Sequence, residues 1–424
     1  MRHRSRVPES FRGDAMRVVS SLALLPVLLL PACGGDETLP THPVTERDSA
    51  GVRIVEQRGP PAVGFGGWNV EPEPVLTIGG LAAEDDHQVY RVRGAVALTD
   101  GSIALANAGS AEIRVYSPAG ELLRSEGRRG GGPGEYQSPT IVGRIAGDTL
   151  VVGDFQNNRV SLVHPDAGFV RSFAANQDGR VAFARGALDD GTVLMGGGVL
   201  FGGDTEVEEG FSRQETEFHL VDRDGNGRLD LGGYPGPEML VTVQSAGEGA
   251  LISASSLPFS RNTETAAGGD RLFIGTNDTY EIRRFDALGN LIQILRDLTP
   301  PHAVTGEHLD EYARREAEDA EPADRARILS DWESIEPPAT FPAFIDLKVD
   351  RLGNLWVRDF SLPNDELATW SVFDSAGMPV ARLSLPLAFT VAEVGEDYIL
   401  GVQRDEYEVE SVQLLRLNRG SLEP

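Results

Sequence analysis

Cysteine and lysine are nearly absent from this 424-residue chain, which has one of each, Cys33 and Lys348. With a single cysteine, no intramolecular disulfide can form. Positive charge is also scarce, because 38 Lys and Arg residues face 65 Asp and Glu residues, for a net charge of −27. Such an acidic chain is repelled by nucleic acid and by anionic lipid surfaces, so we expect neither as a partner through general electrostatics.

Motifs of several enzyme classes are missing. The seven histidines include no His-x-x-x-His or His-x-Glu pair, so a zinc site would need ligands from distant parts of the chain. There is no Gly-x-Ser-x-Gly motif and no thiol other than Cys33. The loop at 127–134, GRRGGGPG, lacks the lysine and Ser/Thr of a phosphate-binding loop. We interpret it as a flexible connection in which Arg128 and Arg129 are candidates for holding an anion, because guanidinium binds carboxylate bidentately.

The N-terminal 32 residues are predicted to be a signal peptide. Arginines precede an apolar run, Val18 to Ala32, that is shorter than the ~20 residues of a membrane span. The run ends in Leu-Pro-Ala-Cys33-Gly, which resembles a bacterial lipobox. The resemblance implies export to the cell envelope (periplasm, outer membrane or cell surface) and lipidation of Cys33 as a membrane anchor. The alternative is an ordinary signal peptide followed by a chance cysteine. Residues 33–50 are polar and predict a flexible tether.

One unit recurs along the rest of the chain: an apolar strand, a short turn that ends in glycine, and another strand. The six turn glycines are Gly120, Gly168, Gly227, Gly289, Gly377 and Gly420. Gly120 and Gly168 are 48 residues apart, close to the ~40–50 residues of a four-stranded propeller blade. Strands this short, separated by Asp-Gly and Ala-Gly turns, are typical of hairpins and not of βαβ units.

The second unit has the clearest motif. It reads Gly134-Glu-Tyr-Gln-Ser-Pro, then a glycine and an apolar strand, then Asp154-Phe-Gln-Asn-Asn-Arg159-Val. This is similar to the NHL repeat, and residues 72–420 as a whole resemble the six-bladed β-propeller lipoproteins of bacteria. The resemblance implies an all-β fold over residues 51–424, a six-bladed β-propeller of four-stranded blades. It does not identify a substrate, because propellers include enzymes, binders and scaffolds.

The two ends of the repeat region are predicted to pair. The last unit stops at Gly420 before a fourth strand, while the strand Pro74 to Gly80 has no hairpin partner of its own. Pairing this N-terminal strand with the last blade would close the ring and remove an open sheet edge.

Three long segments interrupt the units, at 196–216, 235–269 and 299–342. The third predicts a short helical insertion around 303–333, with a second helix starting at Pro322. All three lie between blades or between second and third strands, which meet at one face of a propeller. We therefore expect ligand binding on that face.

Two groups of acidic residues are candidate sites. Asp154, Asp278, Asp359 and Asp405 each follow a second strand, and we predict a ring of carboxylates at the channel mouth that binds a cation or performs acid–base steps. The alternative is that they cap turns and pair with local arginines such as Arg159. The segment Asp222 to Gly227, DRDGNG, matches the start of a calcium loop, but Gly233 stands where the loop needs a glutamate. A plain hairpin turn is the alternative.

These observations predict a cell-envelope lipoprotein whose propeller binds a protein, a peptide or a glycan, with no nucleic-acid partner. We predict no cofactor, with weak calcium binding as the alternative. The second functional hypothesis is a metal-dependent enzyme of the lactonase, hydrolase or lyase type, because related six-bladed propellers hold a metal in the channel. The candidate ligand-binding residues are Arg128, Arg129, Asp154, Arg159, Asp278, Asp359 and Asp405.

Overall fold

The computed structural model describes residues 44–81, 83, 87–176, 181–197, 209–246, 249–323, 325, 329, 338–362 and 364–420. Strands make up 53% of the structure and helices 5%. The predicted signal peptide, Cys33 and most of the predicted tether lie outside the described residues. Within these ranges, no helix has both the length and the apolar character that crossing a membrane requires.

The strands are short, as the frequent turn signals predict. In chain order they are β1 (Thr45–Ser49), β2 (Val52–Gln57), β3 (Asn69–Val70), β4 (Leu76–Gly79), β5 (Val92–Ala97), β6 (Ile103–Asn107), β7 (Glu112–Tyr116), β8 (Leu122–Glu126), β9 (Pro139–Ile145), β10 (Thr149–Asp154), β11 (Arg159–His164), β12 (Gly168–Ala174), β13 (Ala182–Ala187), β14 (Val193–Gly197), β15 (Gly210–Ser212), β16 (Glu215–Val221), β17 (Gly227–Pro235), β18 (Met239–Ala246), β19 (Gly249–Ser256), β20 (Thr263–Gly268), β21 (Arg271–Thr276), β22 (Tyr280–Phe285), β23 (Leu291–Asp297), β24 (Asp346–Val349), β25 (Leu355–Arg358), β26 (Leu367–Phe373), β27 (Pro379–Pro386), β28 (Phe389–Val394), β29 (Tyr398–Arg404) and β30 (Glu410–Asn418). A 3₁₀ turn spans Phe65–Gly67, and the helix α1 spans Gly306–Asp319.

Most of these strands form four-stranded antiparallel meanders. In chain order the meanders are sheet 1 (β5 to β8), sheet 2 (β9 to β12), sheet 3 (β13, β14, β16 and β17), sheet 4 (β20 to β23), sheet 5 (β24 to β27) and sheet 6 (β28 to β30, completed by β4). Several four-stranded sheets in an almost entirely β chain are consistent with the predicted β-propeller class.

The recurring turn is the link between the third and fourth strands of a sheet. In sheet 1 the hydroxyl of Ser117 accepts hydrogen bonds from the N–H groups of Ala119 and Glu121, at 3.2 and 3.1 Å. His164, Asp222, Asp286 and Asp374 accept the corresponding bonds in sheets 2 to 5. Glycine is needed because the turn requires a positive φ, 86° at Gly120. In sheet 3 this glycine is Gly225 and not Gly227, which begins β17 instead.

The predicted pairing of the N-terminal strand with the last unit is confirmed. Strand β4 lies antiparallel to β30, with Leu76 opposite Leu414 and Gly79 opposite Ser411. Strand β3 pairs with the end of β30, through Val70 and Leu417. The two ends of the repeat region are therefore joined in one sheet.

Part of the predicted tether is wrong. Residues 45–49 form β1, which makes a hairpin with β2, and β2 adds to sheet 4 in parallel with β23. The hairpin is held because Ile54 and Val55 of β2 are buried. The sequence hides β1 because the strand is polar and exposed at every position, so it shows no apolar alternation.

The hydrophobic core consists of six clusters that lie between sheets. They join sheets 1 and 2, 2 and 3, 3 and 4, 4 and 5, 5 and 6, and finally 6 and 1. The first strands of the sheets contact one another in the same order. This approach is close, because a Cβ on Gly94 of β5 would lie 2.3 Å from the carbonyl oxygen of Ile141 in β9.

The three insertions meet at one end of the sheets, as predicted. Strand β15 of the first insertion pairs with β18 of the second, and with β19 they form a seventh sheet. Phe259 of the second insertion has its ring centroid 5.6 Å from that of Tyr312 in α1 and 4.9 Å from that of Phe341. It also contacts Phe360, in the link between the second and third strands of sheet 5. The helix predicted after Pro322 lies largely outside the described residues.

Candidate functional site

Asp154 acts as a structural cap. It is 2% exposed, and its carboxylate accepts hydrogen bonds from the N–H of Gln137 at 2.7 Å and from Nδ2 of Asn157 at 2.9 Å. The N–H groups of Ser138 and Asn157 add two longer contacts at 3.3 Å. Arg159 is not its partner, since that guanidinium donates to the carbonyls of Gly131 and Glu135. Asp154 thus ties the segment that enters sheet 2 to the end of its second strand.

The same tie recurs in two other sheets. Oδ1 of Asn107 accepts a hydrogen bond from the N–H of Tyr90 at 2.8 Å, and Oδ1 of Asn277 accepts one from Asn262 at 2.6 Å. Both asparagines end or directly follow the second strand, as Asp154 does. A neutral amide can do this job, so the position serves the fold in all three sheets.

Asp278, Asp359 and Asp405 have their own local partners. Asp278 receives two hydrogen bonds of 2.7 Å from Arg213, and Asp359 receives one of 2.6 Å from Arg382. Burial raises the pKa of Asp359 above its usual range, against the opposing effect of Arg382. Asp405 accepts two N–H bonds of 2.9 Å within its own turn. None of the four aspartates lines the channel cavity. Their local partners are those of the cap-and-pair alternative, and the carboxylate ring stays a prediction.

Hydrogen bonds from neighbouring residues fix the glycine-rich loop at 127–134. The carboxylate of Glu135 accepts hydrogen bonds from the N–H of Gly132 and from Arg128, both at 2.8 Å. Arg129 bonds to the carbonyl of Gly109, and Nδ2 of Asn157 donates to that of Gly130. The prediction of a flexible connection is therefore wrong, and both arginines are already engaged at an exposed surface.

The segment Asp222 to Gly227 is a hairpin turn between β16 and β17. Both carboxylate oxygens of Asp222 accept hydrogen bonds from Asn226, and these bonds lower the pKa of Asp222. Among the described residues, no group of three or more His, Cys, Asp or Glu side chains is arranged to hold a metal ion.

A central channel of about 920 Å³ is lined by the first strands of all six sheets. Charged side chains of its wall form ion pairs. Lys348, for example, donates hydrogen bonds to both carboxylate oxygens of Asp346, at 2.6 and 2.8 Å. Near this pair, burial raises the pKa of Glu264 to about 7, and the negative charge of Asp346 adds to the effect. Burial likewise raises the pKa of Glu393, which accepts a 2.6 Å hydrogen bond from the N–H of Ala97 and is paired with Arg351.

A second cavity, of about 380 Å³, opens between sheets 1, 2 and 3 at the end where the insertions meet. We call it the entrance pocket and define it by Arg91, Arg93, Phe155, Arg159, Phe183 and Arg185. Arg185 lines both this pocket and the channel. The lining includes four arginines and one aspartate, the structural cap Asp154. The pocket is therefore positively charged, although the protein as a whole is strongly acidic.

Aromatic and cationic side chains of the entrance pocket contact one another. The ring centroids of Phe155 and Phe183 are 4.6 Å apart, and Phe155 is 58% exposed. The guanidinium carbon of Arg185 lies 5.3 Å from the centroid of Phe183. Burial lowers the pKa of Arg185, while the negative charge of Glu264 acts to raise it. Arginine nevertheless remains charged at neutral pH.

Arg91 and Arg93 are the free cations of the entrance pocket. Both are exposed, and neither forms an ion pair with a carboxylate of the described residues. Sequence reasoning identified Asp154 and Arg159 in this pocket but missed Arg91, Arg93 and Arg185. The sequence does contain a sign of these three residues. They are arginines on or next to the first strands β5 and β13, where small and apolar residues otherwise dominate.

No family model matches this chain, and no curated protein matches it. Among solved structures, it is similar to a protein of Bacteroides fragilis described as exported, with TM-score 0.46, 12% identity, and coverage of 86% of this chain and 99% of the other. It is also similar to a DUF4221 family member from Bacteroides vulgatus, with TM-score 0.47, 10% identity, and coverage of 83% and 99%. A gluconolactonase from Xanthomonas campestris matches with TM-score 0.41, 10% identity, and coverage of 82% and 100%. Similarity at this level does not identify a function.

Proposed function

We propose that this protein is an exported, lipid-anchored binding module, in which a six-bladed propeller with NHL-like repeats recognises a protein, peptide or glycan. The ring is supported by the six core clusters, by the order of contacts between first strands, and by the β4–β30 pairing. The anchor rests on the sequence around Cys33.

The observation that carries the binding function is the convergence of three insertions beside the entrance pocket. The first two share a sheet, and the second and third share the aromatic cluster around Phe259. Long loops gathered at one end of a scaffold are the usual site of recognition. In the part of the chain that the structure describes, the opposite end consists of short turns, which the repeat itself requires.

Photo-crosslinking tests which face binds. A photoreactive residue placed at Phe211 or Tyr407, which are 65% and 70% exposed at the insertion end, should yield adducts with envelope components in intact cells. The matched controls are Leu288 and Leu352, 78% and 52% exposed in turns at the other end, and these should give none. Adducts only from the two leucines, or from none of the four positions, would rule the proposal out.

The anchor has an independent test. Cys33→Ser removes the acyl acceptor, so the protein should move from the membrane fraction to the soluble fraction and lose incorporation of labelled fatty acid. A single acylated residue anchors through its buried methylenes, each worth ~0.8 kcal/mol. Unchanged fractionation of the variant would show that the lipobox interpretation is wrong.

A further inference from the structure

We propose that the entrance pocket binds an acidic sugar residue of an anionic glycan, with the acid group held by Arg91, Arg93 and Arg185 and the sugar ring lying on Phe155. This inference rests on the proposed binding function and specifies its ligand. It starts from three features of the pocket: unpaired cations, an open aromatic face, and a small volume.

The first feature is the set of arginine side chains that line the entrance pocket. Arg91 and Arg93 project from the segment that enters sheet 1, and Arg185 lies on β13 of sheet 3, so guanidinium groups reach the pocket from two sides. The fourth, Arg159, is occupied by the carbonyls of the glycine-rich loop. Among the described residues, none of these three guanidinium groups forms an ion pair with a carboxylate, and a guanidinium group can bind an anionic ligand bidentately.

The aromatic pair supplies the second contact. Phe183 contacts both the guanidinium of Arg185 and the ring of Phe155. Phe155 then presents its outer face to solvent, although an exposed phenylalanine contributes nothing to the core. A sugar ring has a face of C–H groups that fits flat against such a ring, while its acid group projects from the edge toward the arginines.

The volume limits the size of the bound group. A cavity of about 380 Å³ lies at the small end of ligand pockets, which span about 300–1,000 Å³. It holds one or two sugar rings of a longer chain, with the rest of the glycan extending over the insertion face. An acidic peptide would offer carboxylates on flexible stems but no rigid ring for Phe155, which is why the geometry favours the sugar.

Isothermal titration with the full chain in detergent tests the proposal. The probes are an oligogalacturonate, its methyl ester, a sulfated oligosaccharide of the same length, and a hexapeptide of Asp and Glu. We expect the two anionic sugars to bind. The ester should bind at least about tenfold more weakly, because a lost charged contact costs about a factor of ten, and the peptide at least about tenfold more weakly because it has no ring to lie on Phe155. Comparison of galacturonate with the sulfated sugar identifies which acid group is preferred.

Variants locate the site. Arg91→Gln with Arg93→Gln should weaken binding of the anionic sugar by about a hundredfold, and Phe155→Ala by about tenfold or more. All three residues are exposed, so circular dichroism should show an unchanged fold. Arg47→Gln, on the distant strand β1, is the matched control and should bind as the parent does.

Three results would overturn the inference: binding of the peptide but not the sugar, equal binding of the acid and its methyl ester, or equal affinity in the parent and the pocket variants. Each leaves the proposed function standing if Phe211 and Tyr407 still crosslink to envelope components. Loss of crosslinking at Phe211 and Tyr407 together with loss of sugar binding would contradict both the proposed function and this inference.

Discussion

The assignment of Asp154 as a cap can be tested by Asp154→Ala. The substitution leaves two half-buried donors, the N–H of Gln137 and Nδ2 of Asn157, without their short bonds of 2.7 and 2.9 Å. Hydrogen bonds to a charged group contribute about 1.5–3 kcal/mol each. The two contacts at 3.3 Å add little. We therefore expect the free energy of unfolding to fall by about 3–5 kcal/mol, a large part of the 5–15 kcal/mol typical of a folded domain.

Urea denaturation followed by tryptophan fluorescence measures this loss, since Trp356 and Trp370 are fully buried. Asp154→Asn keeps one acceptor oxygen and should cost about 1–2 kcal/mol. Asp270→Ala removes an aspartate whose side chain is exposed and should change stability by less than about 0.5 kcal/mol. If Asp154→Ala unfolds at the same urea concentration as Asp270→Ala, the carboxylate does not support the fold and the cap assignment is refuted.

Three further changes probe the core and the channel. Gly94→Ala should destabilise by about 2–4 kcal/mol, because φ is +94° and the new Cβ would meet the Ile141 carbonyl; a neutral effect in urea denaturation would show that β5 and β9 are less tightly packed. Trp356→Ala should cost about 3–5 kcal/mol by emptying a buried site and removing the donor to Asp350, and a smaller loss in the same assay would contradict this packing. The pKa of Glu264 is about 7 in the fold against an ordinary value of 4.5, so the stability linked to its protonated form is present below pH 4.5 and lost as the pH rises through 7. Glu264→Gln should therefore remove up to about 3 kcal/mol of pH dependence from the melting curve, and an unchanged pH profile would argue against the shift.

Much of the fold could be predicted from the sequence because the motifs that specify it are short and local. The turn between third and fourth strands needs a capping side chain and a glycine of positive φ within about five residues, so Ser117 and Gly120 stand out in the sequence. Strand β1 was missed because its stability comes from pairing with β2, whose own place depends on β23, some 240 residues away.

The candidate site was harder to predict because identical residue types serve different purposes. Asp154 and Asn107 hold equivalent backbone groups, yet only the aspartate suggested chemistry. Arg128 and Arg129 were conspicuous in a glycine-rich loop, although Arg128 is used by Glu135. A side chain is available for a ligand only when no neighbour uses it, and those neighbours are distant in the sequence.

The amino-acid sequence by itself determined the strand length, the hairpin connections, the repeat, and the end of the sheets at which the insertions emerge, because each depends on residues within one unit. Only the tertiary structure decided which charges are free. Packing between the sheets set Asp278 against Arg213 and Asp359 against Arg382. Beside Phe155 it left Arg91 and Arg93 without an ion pair to any carboxylate of the described residues. Charge pairing depends on distances of a few ångströms between different sheets, which no local pattern encodes.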